Sequence, residues 1–323
     1  MPRIFEKIYN GIVSQVETNL IKKKIFNWSV DRGREISQQK LKNKSISLVH
    51  LFQYKVAQRL VFNTIKQKMG GKLRFAMSGG APLAKEIAEF FHSAGLLICE
   101  GYGLTETTAA VTVNSPLHYK FGSVGKPIGD VKIKFAEDKE ILIQSQKVMK
   151  EYYNNPKATD EVFKDGYFCT GDIGHLTEDG FLCITDRKKD LIKTAGGKYI
   201  APQKLENLLK INPYISNVLI HGDQRKYVVA LITLDSENVL QFARNQNIPG
   251  DIAELSQHSA VRQLIREAVA EVNAQLPSFE TIKNFDILPH DFTIESGELT
   301  PSLKVKRKIC DQKYRDILDS LFL

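Results

Sequence analysis

The first 69 residues place apolar side chains at helical spacing, as at Ile8, Ile12, Val13 and Val16, which predicts a helix-rich opening with an amphipathic core face. The rhythm then shortens. Leu73 to Met77 reads as a buried strand, Ser78-Gly79-Gly80-Ala81-Pro82-Leu83 as a turn of small residues, and Ala84 to Phe91 as a helix. Leu96 to Cys99 reads as a second buried strand that runs into Glu100-Gly101-Tyr102-Gly103-Leu104-Thr105-Glu106-Thr107. A turn-rich crossing at Gly122 to Gly129 leads to two paired strands, Val131 to Phe135 and Glu140 to Ile143. From Tyr167 the pattern is that of a hairpin, turning at Glu178-Asp179-Gly180 and returning along Phe181 to Thr185. It delivers the chain to Asp186-Arg187-Lys188-Lys189-Asp190, five charges in a row that cannot be core. Such a run is either a solvated loop or a hinge between two compositionally complete units. Beyond it come a short strand at Leu191 to Thr194, a flexible loop at Ala195 to Lys198, and a helix opened by Pro202 with Leu205, Leu208 and Leu209 on one face. Tyr214 to Ile220 and Tyr227 to Leu234 are β-rich and Ala260 to Leu276 is helical, which makes a small α+β unit.

Composition narrows this picture. With 323 residues, 42% hydrophobic and 25% charged, the chain can form one large domain or two ordinary ones, and is not of disordered type. It holds no apolar run of about 18 residues, and Met1-Pro2-Arg3 is not followed by a secretory stretch. The expectation is a cytoplasmic protein, at most peripheral to a membrane. Cys99, Cys169, Cys183 and Cys310 lack metal or redox spacing and read as buried thiols, and the seven histidines show no paired-ligand spacing. A net charge of +8 fits contact with a polyanion such as nucleic acid, a nucleotide, CoA or an anionic membrane.

Candidate chemistry lies in four places. A strand, a glycine turn and a helix set a ligand crevice at the end of a sheet, and Gly80-Ala81-Pro82 let backbone approach a flat ring, although an ordinary βα turn explains them too. Gly101-x-Gly103 fails as a dinucleotide fingerprint, because Glu106 stands where the third glycine belongs. Tyr102 can stack on a purine, Thr105 can donate to a phosphate oxygen, and Glu106 can hold Mg²⁺. Asp172, in Thr170-Gly171-Asp172, can present two acceptor oxygens to a diol such as ribose. Leu299 to Lys308 is basic; it is either a surface patch or a loop whose lysine meets a carboxylate and a phosphate.

On the block Tyr167 to Glu206, with Gly101 to Glu106 upstream, the chain resembles the adenylate-forming superfamily, and within it the long-chain fatty acyl-CoA synthetases. The resemblance implies an α/β fold: residues 1–187 as the C-terminal part of a large AMP-binding domain with βα layers and a β-rich subdomain, then 188–323 as a mobile α+β lid. The hinge falls at about 186–190 with Lys189 as its swivel. Asp172 would hold the ribose with help from Arg187, Gly80, Ala81 and Pro82 would line the adenine, and Tyr102, Gly103, Thr105 and Glu106 would serve the nucleotide, its phosphate and Mg²⁺. Lys304 would be the catalytic lysine of the lid, and the loop Gly196-Gly197-Lys198 would face CoA. Pro2 to Lys7 is similar to a segment well inside such enzymes, and Met149 to Pro156 to their short helical link.

The implied reaction joins a fatty acid to CoA at the expense of ATP, through an acyl-adenylate. The family's Ser/Thr/Gly-rich loop ending in Pro-Lys-Gly, which cradles the outer phosphates, has no counterpart ahead of Ser78. A truncated or split-gene ligase with little or no activity alone is therefore expected, which a preceding reading frame carrying the missing loop would restore, with exposed strand edges and apolar surface. A non-catalytic remnant binding AMP, CoA or a partner chain is the alternative. Nucleic-acid binding is not expected, since no such module is present; salt-sensitive binding to random DNA would revive it.

Overall fold

The computed structural model describes residues 2–17, 19–42 and 44–323, so Met1 at the start of the sequence lies outside it. The chain separates into two compact units, Met1–Lys188 and Lys189–Leu323.

The first unit opens with helices α1 (Pro2–Glu17), α2 (Leu20–Leu41), α3 (Leu48–Ala57) and α4 (Asn63–Lys68), the last two joined by a π-helical turn, Gln58–Phe62. Local signals start them: Asn19 accepts from the N–H groups of Ile21 and Lys22, and Ser47 accepts from His50. The expected core face of α1 is corrected. Ile8, Ile12, Val13 and Val16 are only half-buried, and aromatic residues one step away make the contact, Phe5 against Phe91 and Tyr9 against Phe90.

A mixed sheet follows, in the order β1 (Phe75–Gly79), β2 (Leu97–Gly103), β3 (Ala110–Val113), β4 (Lys126–Pro127), with α5 (Lys85–Ser93) crossing between the parallel pair β1 and β2. The first of these was expected to be buried, and it is not. Phe75 is 39% and Met77 50% exposed, because β1 is the sheet's edge and one of its faces has nothing packed on it among the described residues. By contrast α5 is deeply packed through Ile87, Ala88, Phe90 and Phe91. A second sheet is built around the long strand β8 (Tyr167–Leu176), flanked by β6 (Glu140–Gln144) with β5 (Lys132–Phe135), by β7 (Phe163–Lys164), and by β9 (Leu182–Arg187). The hairpin of β8 and β9 turns where the sequence puts Glu178-Asp179-Gly180. Of the link expected at Met149 to Pro156, residues 149–155 are not helical, and α6 (Pro156–Val162) starts at its last residue. Tyr102 from β2 packs with Ile141, Ile143 and Leu182 in one core, so the two sheets meet through it.

The second unit begins with a two-stranded pair, β10 (Ile192–Lys193) and β11 (Tyr199–Ile200), and α7 (Pro202–Leu209), which buries Leu205 and Leu209 as its apolar spacing predicts. A three-stranded sheet follows, β12 (Ile215–His221), β13 (Val228–Leu234) and β14 (Ile282–Ile287). Its side chains alternate between two cores. Val218, Ile220, Ala230 and Ile232 face α7, α8 (Ser236–Asn245), α9 (Ile252–Gln257) and α10 (Ser259–Asn273), while Leu219, Val229 and Leu231 face α11 (Arg307–Lys313) and α12 (Arg315–Ser320). No described helix is long and apolar enough to cross a membrane.

Candidate active site

The residues of the Gly101 to Thr107 motif do not form a loop after a strand: Glu100 to Gly103 are the last residues of β2 itself. Gly103 is required there. A Cβ at Gly103 would lie 2.1 Å from the carbonyl oxygen of Ala109, where the β2–β3 register shifts. A cavity of about 350 Å³ opens at this strand end, lined by Gly79, Gly80, Gly101, Tyr102, Gly103 and Leu104 among others. Gly80 sits in the left-handed region at φ 83° with open space beyond its Cα. Half-buried Ala81 and exposed Pro82 continue the turn outside the cavity lining.

Beside the cavity stands a bonded trio. Tyr102 donates its hydroxyl to Asp172 Oδ2 at 2.6 Å, and Arg187 donates Nε–H to Oδ1 at 2.9 Å. Asp172 is 5% exposed and lies opposite Arg187 in the β8–β9 ladder, so strand register fixes the ion pair. Burial, reinforced by the Asp172 charge, raises the Tyr102 phenol well above its ordinary range and keeps it a donor. The carboxylate is held by groups that a diol can share or replace. Asp186, in the charge run read as a solvated loop or a hinge, is buried and accepts the N–H of Arg187 at 2.6 Å.

Thr105 and Glu106 lie on a single 3₁₀ turn, Thr105–Thr107, after β2. Thr105 is exposed and half-buried Glu106 accepts from the Tyr152 hydroxyl at 3.0 Å. Among the described residues no group of three or more His, Cys, Asp or Glu is disposed to hold a metal ion. One carboxylate fits Mg²⁺ of the kind carried mainly by substrate phosphates and water, and Glu106 is the residue that would hold it.

Sequence reading missed four residues of this region. Thr107 closes the turn by accepting from the N–H of Leu104 at 2.9 Å, Thr108 takes φ 62° and donates to the Lys147 carbonyl, and Tyr152 partners Glu106 across 46 positions. Among the described residues the Glu100 carboxyl, 6% exposed, accepts only a long bond from the Leu83 N–H at 3.4 Å, and burial pushes it up to about 7. Its register partner Ser78 has a buried hydroxyl with no partner among the described residues. An apolar-flanked Glu in a strand was the available signal for Glu100; the tyrosine contacts are too distant in sequence to have left one.

In the second unit Lys198 ends a turn in which its N–H bonds Thr194 Oγ1 at 3.1 Å, and its ammonium lies 6.0 Å from the centre of the Phe279 ring. Lys304 is exposed on a tight turn rooted in the Leu299–Val305 bridge, with its N–H donating to Thr300 Oγ1 at 3.0 Å and its C=O accepting from Thr300 at 2.8 Å. Leu303 adopts φ 60°, a left-handed conformation usual for glycine. Glu298 anchors the root of this turn. It is 2% exposed, and although burial opposes its charge, hydrogen bonds from Lys313, Ser296, Tyr314 and the Thr293 N–H hold its carboxyl down at about 2.

The family model for the AMP-binding enzyme matches residues 8–153, and that for the AMP-binding enzyme C-terminal domain matches residues 189–323. The chain belongs to the AMP-binding enzyme family. A long-chain-fatty-acid–CoA ligase of Mycobacterium bovis, FadD15, is 39% identical over the whole of this chain and 54% of its own length. The chain thus spans about half the length of the curated relatives it matches. In fold it is similar to the adenylation domain of a carboxylate reductase from Mycobacterium chelonae, with a TM-score of 0.73 and 23% identity over 99% of this chain and 45% of that one. It is also similar to the o-succinylbenzoate–CoA synthetase of Bacillus subtilis in complex with ATP and magnesium, with a TM-score of 0.56 and 25% identity over 76% of this chain and 49% of that one.

Proposed function

We propose that the chain carries the adenylate-handling portion of a long-chain fatty acid–CoA ligase. The observation that carries the reading is the buried Asp172 carboxylate, bonded by Tyr102 and Arg187 beside a glycine-lined cavity at the end of β2. A ribose diol suits Asp172, and a purine suits the bare backbone of Gly79-Gly80 and the strand end at Tyr102-Gly103. The ligase names of the curated relatives support fatty acid and CoA as substrates.

In this reading a fatty acid carboxylate oxygen attacks the α-phosphorus of ATP, the bond to pyrophosphate breaks, and an acyl-adenylate forms. The CoA thiolate then attacks the acyl carbonyl and AMP leaves. Thr105 donates to a phosphate oxygen, Lys304 stabilises the charge that develops at the α-phosphate, and Lys198 lies toward the CoA phosphates and pantetheine. Glu106 would hold Mg²⁺ together with the substrate's phosphates, and the ion would supply neutralisation of charge on the pyrophosphate. The second unit turns about Lys189 between the two half-reactions, so that one hinge serves both.

The sequence holds no Pro-Lys-Gly phosphate loop, and we propose that these 323 residues alone bind AMP but do not turn ATP over. Coupled AMP and acyl-CoA formation from ATP, palmitate, Mg²⁺ and CoA tests this, with Lys304→Ala alongside. No turnover with AMP still bound is expected. Turnover that collapses in Lys304→Ala would overturn the claim of inactivity and keep the lysine's role; absence of AMP binding would leave the adenylate reading without its site.

A further inference from the structure

Gly171 separates Thr170 from the candidate ribose ligand Asp172 and takes φ 70°, and both its backbone polar groups are engaged. Its N–H donates to Glu140 Oε1 at 2.9 Å, and its C=O accepts the N–H of Lys188 at 2.8 Å. The Lys188 ammonium donates in turn to Glu140 Oε2 at 2.9 Å and pairs with Asp138. The bonds close a ring: glycine to glutamate, glutamate to lysine, lysine back to the same glycine. Glu140 is 6% exposed, so its carboxylate depends on these two donors. Lys188 directly follows Arg187, the Asp172 partner, and is the last residue of the first unit, next to Lys189.

We propose that Lys188 is a positioning residue that ties the ribose-binding turn to the start of the hinge. Held by backbone and side chain, Lys188 cannot rotate with the second unit, so torsional freedom begins at Lys189. Holding Gly171 from both sides also sets the direction in which Asp172 leaves the turn. The same ring therefore keeps the ribose carboxylate aimed while the lid moves. The proposal rests on the reading of Asp172 as the ribose ligand and Lys189 as the swivel, and deepens it with a residue that touches neither substrate nor reacting atoms.

The test compares the native chain with Lys188→Met, Lys188→Arg and Glu140→Gln, by site-resolved amide hydrogen exchange and by calorimetric titration with AMP. In Lys188→Met the amides of Gly171 and Lys188 are expected to exchange roughly tenfold faster and AMP to bind about fivefold more weakly, as suits loss of one partly exposed charged partner. Amides of β12 and β13 should keep native rates, and Lys188→Arg should restore both readouts. Native exchange at Gly171 and Lys188 in Lys188→Met overturns the proposal, as does acceleration spread through the whole first unit, which would make Lys188 a fold determinant only. Should Lys188→Met fail to fold, Glu140→Gln opens the ring from the other side and must give the same local acceleration. If the native chain binds no AMP, the ribose reading falls, and exchange at Gly171 alone decides whether the anchor exists.

Discussion

Asp172 and Glu100 are both buried carboxyl groups of the first unit, and they differ in their hydrogen-bond partners. Asp172 has a hydroxyl and a guanidinium within 2.9 Å, whereas Glu100 has one amide at 3.4 Å. Burial therefore favours the neutral form of Glu100 and moves it from 4.5 to about 7. A raised carboxyl means that the folded chain binds a proton the unfolded chain has already released. The stabilisation is fully present below about 4.5 and is lost as pH rises to about 7, a loss on the order of 3 kcal/mol. Glu100→Gln is neutral at every pH, so its melting temperature should gain on that of the native chain between pH 5 and pH 8; parallel pH curves would show that Glu100 is not buried as described. Tyr102→Phe removes one donor from Asp172 and should cost about 1–2 kcal/mol of stability and weaken AMP binding. Denaturant unfolding and AMP titration check this, and a variant equal to native in both would detach Tyr102 from the site.

The elements themselves were legible wherever local chemistry decides them. The turn at Glu178-Asp179-Gly180, the proline start of α7 and the β-rich character of β12 and β13 were all readable, because each is written within a few neighbouring residues. Burial was less so. The apolar residues Leu73, Phe75 and Met77 suggest a core strand, yet β1 is an edge, and edges are set by what lies alongside in space. In α1 Phe5 is buried against Phe91 while Ile8, Ile12, Val13 and Val16 stay half-buried, a choice of face set by the neighbouring helix and not by the aliphatic spacing. The site was legible as residue types, Asp172, Arg187, Tyr102 and Glu106, but the bond from Tyr102 to Asp172 spans 70 positions and belongs to the packing of two sheets. That packing also depends on the β3–β4 corner, where Gly125 has φ 91° and a Cβ would lie 1.8 Å from the Val113 carbonyl carbon. Gly125→Ala should destabilise by more than about 2 kcal/mol, measured by urea unfolding. A change under a few tenths would mean the corner yields.

At the scale of the molecule, the division between Lys188 and Lys189 falls inside the charge run, where Asp186 is buried and Arg187, Lys188 and Lys189 are exposed. Each unit has its own core, and the second is anchored by the nearly continuous burial of β12 and β13. Limited trypsin digestion should therefore cut first within residues 187–189 and leave a resistant fragment that starts near Lys189; first cuts inside β12–β13 would contradict two separate cores. The central claim is that the first unit holds an adenosine nucleotide through Asp172. Its most direct test is calorimetric titration of AMP into the native chain and into Asp172→Ala. The account predicts saturable binding to the native chain and affinity at least about tenfold weaker in the variant, the loss of a charge-assisted contact to the ribose. Equal affinity in the two, or no binding to a folded native chain, would contradict it.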